Sequence, residues 1–163
     1  MMIREAQISD IPQLRTLGAI TWQATYQDIF PPDLIENVLR EWWSEANFQQ
    51  AFASPDICNL LAETDGQIVG TLMGSLKPQA DGELHLFRLY IHPDYQGQGI
   101  GRQLWQGYVA AFPPGVQRVD LEVEPQNTRA IQFYKRLAFE AGELITNEVF
   151  GYAMKSLKMH LWL

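Results

Sequence analysis

The chain has 163 residues, the length of one ordinary domain and too short for two full ones, so we expect a single domain over residues 1–163. Apolar residues make up 47% of it and aromatic residues 12%, which is enough for a sizeable core and excludes intrinsic disorder. With 12 Lys and Arg against 19 Asp and Glu, the net charge is −7, so neither nucleic acid nor a membrane is an expected partner.

The few cysteines and histidines exclude further kinds of site. The single cysteine, Cys58, excludes a disulfide framework and a multi-cysteine metal site, and its apolar surroundings indicate a packing role. The three histidines show no metal-ligand spacing, so no metal is predicted. The N-terminus lacks a signal-peptide pattern, and no apolar run approaches the roughly 18 residues that span a bilayer. We therefore expect a soluble, cytoplasmic protein.

The first half of the chain predicts mixed helices and strands. In order, these are a strand over 2–7, a helix from Asp10 to Tyr26, helices over 33–43 and 44–53, and strands over 58–63 and 67–76. Asp10 followed by Pro12 is typical of a helix start. Asp65-Gly66 is a favoured hairpin turn, so the two strands should pair.

The second half predicts a strand–helix–strand–helix core. Its elements are a long strand over 83–92, a helix over 99–112, a strand over 116–124, a helix over 126–137, and two strands in the last twenty residues. This order implies a locally parallel pair, and the flanking hairpins imply a mixed sheet. In the long strand, Leu84 and Leu86 share one parity while Leu89 and Ile91 share the other. Either a β-bulge near Phe87 or burial on both faces would produce that pattern.

The strongest chemical signal is a glycine-rich turn that follows the long strand and opens a helix. It reads Gln96-Gly97-Gln98-Gly99-Ile100-Gly101-Arg102. Glycines let backbone N–H groups approach a phosphate closely, and the helix N-terminus adds unpaired donors, so the turn predicts a diphosphate site. Arg102 stands where a dinucleotide-binding motif needs its third glycine, and no P-loop lysine is present. A turn without any ligand remains the alternative.

Two motifs in register make a family resemblance specific. Residues 89–101, Leu-Tyr-Ile-His-Pro-Asp-Tyr-Gln-Gly-Gln-Gly-Ile-Gly, match Gln/Arg-x-x-Gly-x-Gly/Ala after a strand. The second motif, Asn-x-x-Ala-x-x-Phe-Tyr-x-x-x-Gly-Phe, is matched by Asn127, Ala130, Phe133, Tyr134 and Phe139. Over residues 83–139 the chain thus resembles the GNAT N-acetyltransferases. It departs at Ala138, where the motif has glycine; a left-handed conformation there would cost alanine about 1 kcal/mol.

The resemblance implies an α/β (α+β) fold with a mixed, mostly antiparallel central sheet, a splayed parallel pair and flanking helices. It also implies an acetyl-CoA-dependent transfer of the acetyl group to a primary amine, by direct attack in a ternary complex. A non-catalytic acyl-CoA-binding sensor and a protein or peptide N-terminal acetyltransferase are the alternatives. The residues implied to bind the cofactor are Leu89, Tyr90, Ile91, Gln96, Gly97, Gln98, Gly99, Ile100, Gly101, Arg102, Asn127 and Tyr134.

The catalytic groups implied are Tyr134 and Glu83. Tyr134 matches the family tyrosine that faces the cofactor sulfur. Because a tyrosine pKa near 10 exceeds a thiol pKa near 8.5, we expect it to hydrogen-bond the developing thiolate and protonate it late. Glu83 matches a glutamate that some members use as the base that takes the amine proton. Glu122 and His85 are the other candidates for the base.

The segment after the first strand mixes aromatic and acidic residues, and in the family it usually shapes the pocket for the acceptor amine. Trp22, Tyr26 and Phe30 weakly resemble a pattern of polyamine-type acetyltransferases, so we expect Trp22, Tyr26 and Glu122 to contact a small amine, by cation–π and charge contacts. Most of the aromatic residues would also suit a core. The apolar end of the chain, residues 161–163, predicts either a homodimer interface or packing into the chain's own core.

Overall fold

The computed structural model describes residues 1–163 and shows a seven-stranded sheet in the order β1-β2-β3-β4-β5-β7-β6. The strands are β1 (Met2–Glu5), β2 (Ile57–Thr64), β3 (Gln67–Ser75), β4 (Glu83–Ile91), β5 (Arg118–Val123), β6 (Glu140–Val149) and β7 (Tyr152–Trp162). Every neighbouring pair is antiparallel except β4 with β5. This confirms the mixed, mostly antiparallel sheet with one parallel pair.

Five α-helices cover parts of the two faces of the sheet. They are α1 (Ile11–Tyr26), α2 (Pro32–Trp42), α3 (Glu45–Ala53), α4 (Ile100–Ala110) and α5 (Thr128–Arg136). One face carries α4 and α5, whose apolar side chains pack on residues such as Leu84, Leu86 and Leu121. The other carries α1, α2 and α3, packed around Trp43 and Phe48. No helix is long and apolar enough to cross a membrane.

The parallel pair β4–β5 holds together at one end only. Its ladder consists of Glu83 with Arg118, Leu84 with Val119 and His85 with Asp120, and it stops there. Beyond His85, β4 pairs with β3 alone, while β5 pairs with β7 alone. The two strands therefore diverge and open a gap through the sheet, as the family resemblance predicted.

A β-bulge lies on β4 where the gap begins. Met73 pairs with Arg88 and Gly74 with Leu86, so Phe87 is the extra residue of the ladder. The bulge confirms the first of the two explanations for the broken alternation in this strand. Because an extra residue reverses parity, His85 before it and Arg88 after it lie on the same face, the one covered by α1.

The C-terminus of α5 adopts the left-handed conformation that the missing motif glycine suggested. Ala138 has a φ of 70°. The N–H of Phe139 donates to the carbonyl of Tyr134 and that of Ala138 to Lys135, each at 3.0 Å, which is the Schellman arrangement of a helix end. Alanine thus stands at a position that favours glycine.

The end of the chain divides between core and surface. Leu161 packs against the core on the α4–α5 side. Trp162 and Leu163 are about 60% exposed, and the Arg118 guanidinium lies 5.0 Å from the Trp162 ring centroid. Packing into the core therefore accounts for one of these three apolar residues.

Candidate active site

A cavity of about 1240 Å³ occupies the gap between β4 and β5 and extends to both faces of the sheet. Its walls come from the second half of β4, the turn after it, the start of α4, the end of β5, α5, the end of α1, and β6 and β7. One continuous space therefore joins the glycine-rich turn to the aromatic residues of α1.

The glycine-rich turn presents a row of free backbone donors. Gly97 and Gly99 have φ values of 80° and 81°, which is why glycine is needed there. None of the six backbone N–H groups from Gly97 to Arg102 donates a hydrogen bond within the protein, whereas the side chain of Gln96 donates to the carbonyl of Ile91 at 3.1 Å and steadies the turn. Six unpaired donors at a helix N-terminus are suited to bind a phosphate.

Gln98 takes no part in the cavity wall, unlike the other residues of the turn that were expected to bind a cofactor. Its side-chain amide donates to the carbonyl of Asp94 at 3.2 Å. Its expected contribution is thus limited to its backbone N–H, which belongs to the row of free donors.

The charged side chains that line the cavity differ between its two ends. Arg102, Arg129 and Arg136 line the end near the glycine-rich turn and form no ion pairs. Glu122 and Glu124 line the other end, also without ion pairs, since the neighbouring Lys158 pairs with Glu143 instead. Sequence reasoning missed Arg129 and Arg136, although their spacing of seven on one helix face was a signal that could have found them. The cavity is therefore basic at the turn, whereas the rest of its lining carries both signs of charge, since Arg88 and Lys155 line it too.

The edge of β4 that faces the gap is available beside Leu89, Tyr90 and Ile91. These residues pair with β3 on one side, and β5 has diverged on the other. The Tyr90 side chain turns away to the α1 side, where its ring lies 5.3 Å from that of Trp43. The structure therefore leaves the edge of β4 free for an extended ligand, while the Tyr90 side chain lines the cavity from the α1 side.

Asn127 lines the cavity as the N-cap of α5. Its Oδ1 accepts a hydrogen bond from the N–H of Ala130 at 3.2 Å. With this oxygen committed to the cap, the Nδ2 amide is the part of the side chain left to donate to a ligand.

Tyr134 is a buried phenol in the cavity wall, 7% exposed. Its ring packs edge-on against Phe133 and Phe139, with centroids 5.3 and 5.6 Å away. Burial raises the pKa of Tyr134 well above its ordinary value, with a smaller contribution from Tyr90. The hydroxyl forms no hydrogen bond within the protein, so it is a protonated donor without a partner.

The three candidates for the base occupy different places. Glu83 lies outside the cavity lining, and its carboxylate accepts a hydrogen bond from Arg118, whose Nε also holds Asp120 at 2.7 Å. His85 and Glu122 both line the cavity. Burial lowers the pKa of His85, while the negative charges of Glu122, Asp120 and Glu83 oppose that change. His85 is therefore neutral at pH 7 and able to accept a proton.

The end of the cavity opposite the glycine-rich turn has an aromatic wall. Trp22 and Tyr26 lie there with ring centroids 4.4 Å apart, and Phe30 lies 5.2 Å from Tyr26. Trp42, 37% exposed, meets Trp22 edge-on at 6.2 Å. Trp22 and Tyr26 are below 10% exposed, so both also serve the core, and burial raises the pKa of Tyr26 well above its usual value.

Cys58 does not contribute chemistry to the cavity. Cys58 is buried away from the cavity lining, and burial raises its thiol pKa to about 11, so it is a poor nucleophile at neutral pH. No cluster of three or more His, Cys, Asp or Glu side chains is placed to hold a metal ion.

The split sheet and its glycine-rich turn define an acyltransferase fold, and comparison with known proteins identifies it. The chain belongs to the acetyltransferase (GNAT) family, whose model matches residues 20–139. An uncharacterized N-acetyltransferase of Mycobacterium tuberculosis is 31% identical over 134 residues, which cover 82% of this chain and 85% of the relative. A spermidine N(1)-acetyltransferase of Thermoplasma acidophilum is 28% identical over 143 residues, covering 85% and 87%. The protein is thus an N-acetyltransferase, as its motifs predicted.

Solved structures agree on the fold. The PaiA N-acetyltransferase of Thermoplasma acidophilum in complex with coenzyme A superposes with a TM-score of 0.81 at 23% identity, over 99% of this chain and 98% of that one. The ribosomal-protein-S18-alanine N-acetyltransferase of Escherichia coli gives a TM-score of 0.71 at 22% identity, over 99% and 92%. These likenesses confirm the GNAT fold.

Proposed function

We propose that the protein transfers the acetyl group of acetyl-CoA to a primary amine of a small cationic acceptor, by direct attack while both are bound. The observation that carries this proposal is the polarity of the cavity. It runs without interruption from free N–H donors and three arginines at one end to an aromatic wall at the other, where two carboxylates without ion pairs, Glu122 and Glu124, lie in the same lining as Arg88. A polyanionic cofactor suits the first end and an ammonium group the second.

Acetyl-CoA fits the basic end through local donors, since the chain as a whole is acidic. The diphosphate would take the N–H groups of Gly97 to Arg102, and Arg102, Arg129 and Arg136 would add positive charge at the mouth. The amide-rich pantetheine arm would run along the open edge of β4 and accept or donate hydrogen bonds as an added strand does. Along this path the thioester would lie beside Tyr134.

Tyr134 would act on the leaving group. The amine nitrogen attacks the thioester carbonyl carbon, the C–S bond then breaks, and the electron pair goes to sulfur. Tyr134 hydrogen-bonds the developing thiolate and gives it a proton, which solvent later replaces. The raised pKa keeps this donor protonated throughout the neutral range.

We assign the base to His85, assisted by Glu122, rather than to Glu83. Leu84 and Leu121 point to the α4–α5 side, so their neighbours His85 and Glu122 point to the side of the aromatic wall. Tyr134 belongs to the α4–α5 side. An amine bound at the aromatic wall would thus meet the base on one face and the thiol acid on the other. The carboxylate of Glu122 would stabilise the imidazolium that forms when His85 takes the amine proton.

The acceptor is proposed to be a polyamine or another small amine. Glu122 and Glu124 supply negative charge without neutralising partners, and the aromatic wall supplies ring faces for the methylene and ammonium groups. The sequence similarity to a spermidine N(1)-acetyltransferase supports the same class of acceptor.

The test is release of free thiol from acetyl-CoA with a panel of amines, with the acetylated product identified by its mass. We expect saturable transfer to polyamines and diamines, and little to peptides with a free N-terminus. Transfer confined to peptides would replace the acceptor class, and tight acetyl-CoA binding without transfer to any amine would make the protein a sensor. A Gly99→Ala variant is the control, because transfer that depends on the turn must fall in it.

A further inference from the structure

The acceptor end contains a half-buried arginine, Arg88, that the proposed chemistry does not use. Resting on the proposed function, we propose that Arg88 is a positioning residue for the amine. By holding the last carbonyl of α2, it sets where the Trp42 indole stands in the cavity wall, and so how well the acceptor binds.

Arg88 reaches the acceptor side because of the bulge at Phe87. The extra residue places Arg88 opposite Met73 and directs its side chain to the face covered by α1 and α3. Without the bulge, position 88 would face α4. The bulge, which lies where the gap between β4 and β5 begins, therefore also places a guanidinium on the acceptor side of the sheet.

The surroundings of this guanidinium are apolar and contain no counter-ion. Its Cζ lies 4.8 Å from the ring centroid of Trp43 and 5.3 Å from that of Phe48. No carboxylate pairs with it, Nη1 is buried without a hydrogen-bond partner, and burial lowers its pKa. A methionine would fill this space without the cost of an uncompensated charge. Packing alone therefore does not account for an arginine here.

The one directed contact of the guanidinium is to the end of α2. Nη2 donates to the carbonyl oxygen of Trp42, the last residue of that helix. Carbonyls in the last turn of a helix have no partner within the helix, so they depend on such donors. Asn47 donates to the same oxygen at 3.3 Å. Two side chains from separate elements thus hold the backbone of Trp42.

Fixing this backbone fixes an indole in the cavity wall. The Trp42 ring stands between Trp22 of α1, at 6.2 Å, and Phe150 of the β6–β7 turn, at 6.0 Å. The glycine-rich turn lies at the opposite end of the cavity. Loss of the Arg88 bond should therefore loosen the acceptor end and leave cofactor binding unchanged.

The experiment compares three variants with the wild type, using steady-state kinetics for the best amine and calorimetry for acetyl-CoA. Arg88→Met keeps most of the packing volume but removes the donor; we expect the amine KM to rise about ten-fold, the effect of one charge-assisted hydrogen bond, with kcat and the acetyl-CoA Kd within two-fold. Arg88→Lys keeps a donor and should restore most of the affinity. Arg40→Met is the matched control, since Arg40 lies in the last turn of α2, exposed and paired with Glu41, and should change neither constant.

A second measurement does not depend on turnover. In a Trp162→Phe background, Trp42 is the one tryptophan more than 10% exposed, so acrylamide quenching of fluorescence reports its position. Arg88→Met should raise the quenching constant about two-fold, and Arg88→Lys should not. If quenching and amine KM both stay at wild-type values in Arg88→Met, or if the acetyl-CoA Kd rises as much as the amine KM, the inference is wrong. If the wild type acetylates no amine, the proposed function fails and with it the role toward the amine, while the quenching result still decides whether Arg88 holds Trp42 in place.

Discussion

Tyr134→Phe removes one oxygen atom from the cavity wall and isolates the chemistry at the leaving sulfur. Because the hydroxyl has no hydrogen-bond partner in the protein, its removal leaves no orphaned polar group behind. The ring keeps its edge-on contacts with Phe133 and Phe139. We expect the free energy of unfolding to change by less than about 1 kcal/mol, so the variant should be folded and loaded with cofactor as the wild type is.

The magnitude of the kinetic effect follows from what the donor does. A positioned acid contributes roughly 10²- to 10⁴-fold to a proton-transfer step. The raised pKa makes this phenol a weak acid until negative charge has built up on sulfur, which favours the lower end of that range. A fall in kcat of about 10²-fold corresponds to about 2.7 kcal/mol of lost transition-state stabilisation.

The assay is thiol release under saturating amine, with acetyl-CoA affinity measured separately by calorimetry. We expect kcat to fall about 10²-fold while the cofactor Kd stays within two-fold. A kcat within three-fold of the wild type would show that Tyr134 is only a packing residue. A matched loss of cofactor affinity would mean that the hydroxyl binds the ground state, and it would also refute the assignment.

Three further predictions concern the base, the turn and the helix end. For the base, pH–rate profiles should show that the wild-type rate falls as pH drops through the His85 pKa, which burial places below its ordinary value. His85→Gln should abolish this acidic limb of the profile. Glu122→Gln should move the limb to lower pH, because it removes a negative charge that raises the His85 pKa. In the turn, Gly99→Ala forces a side chain to a φ of 81°, so we expect about ten-fold weaker acetyl-CoA binding by calorimetry; unchanged binding would remove this turn from the cofactor site. At the helix end, Ala138→Gly relieves a φ of 70° and should stabilise the protein by about 1 kcal/mol, or about 2–4 °C in Tm, with no change in kcat; a lower Tm would contradict the strain.

The fold and the shape of the glycine-rich turn were predictable because their signals are local. Gly97 and Gly99 mark a backbone shape that few other residues adopt, and the broken alternation of leucines along β4 indicated either burial on both faces or the bulge that the structure shows at Phe87. The left-handed end of α5 could likewise be inferred from the alanine at 138 in a motif that has glycine. Each of these features depends on residues within one strand, turn or helix.

The choice among candidate bases was not predictable for a different reason. Glu83 and His85 lie two residues apart on one strand and share a face, so the sequence pattern alone does not show which of them reaches the substrate. What separates them is the neighbouring strand: Arg118, 35 positions along the chain, holds Glu83, and the ladder ends just after His85. Arg88 poses the same difficulty, because its partner is a carbonyl of a helix that the sequence does not link to β4.

The row of unpaired N–H groups from Gly97 to Arg102 has a practical consequence for work with the purified protein. If these donors bind the cofactor diphosphate as proposed, they do not distinguish a diphosphate ester from a free tetrahedral anion, so inorganic phosphate and sulfate should compete for the same N–H groups. Acetyl-CoA affinities measured in phosphate buffer should accordingly be weaker than those in a buffer without such anions.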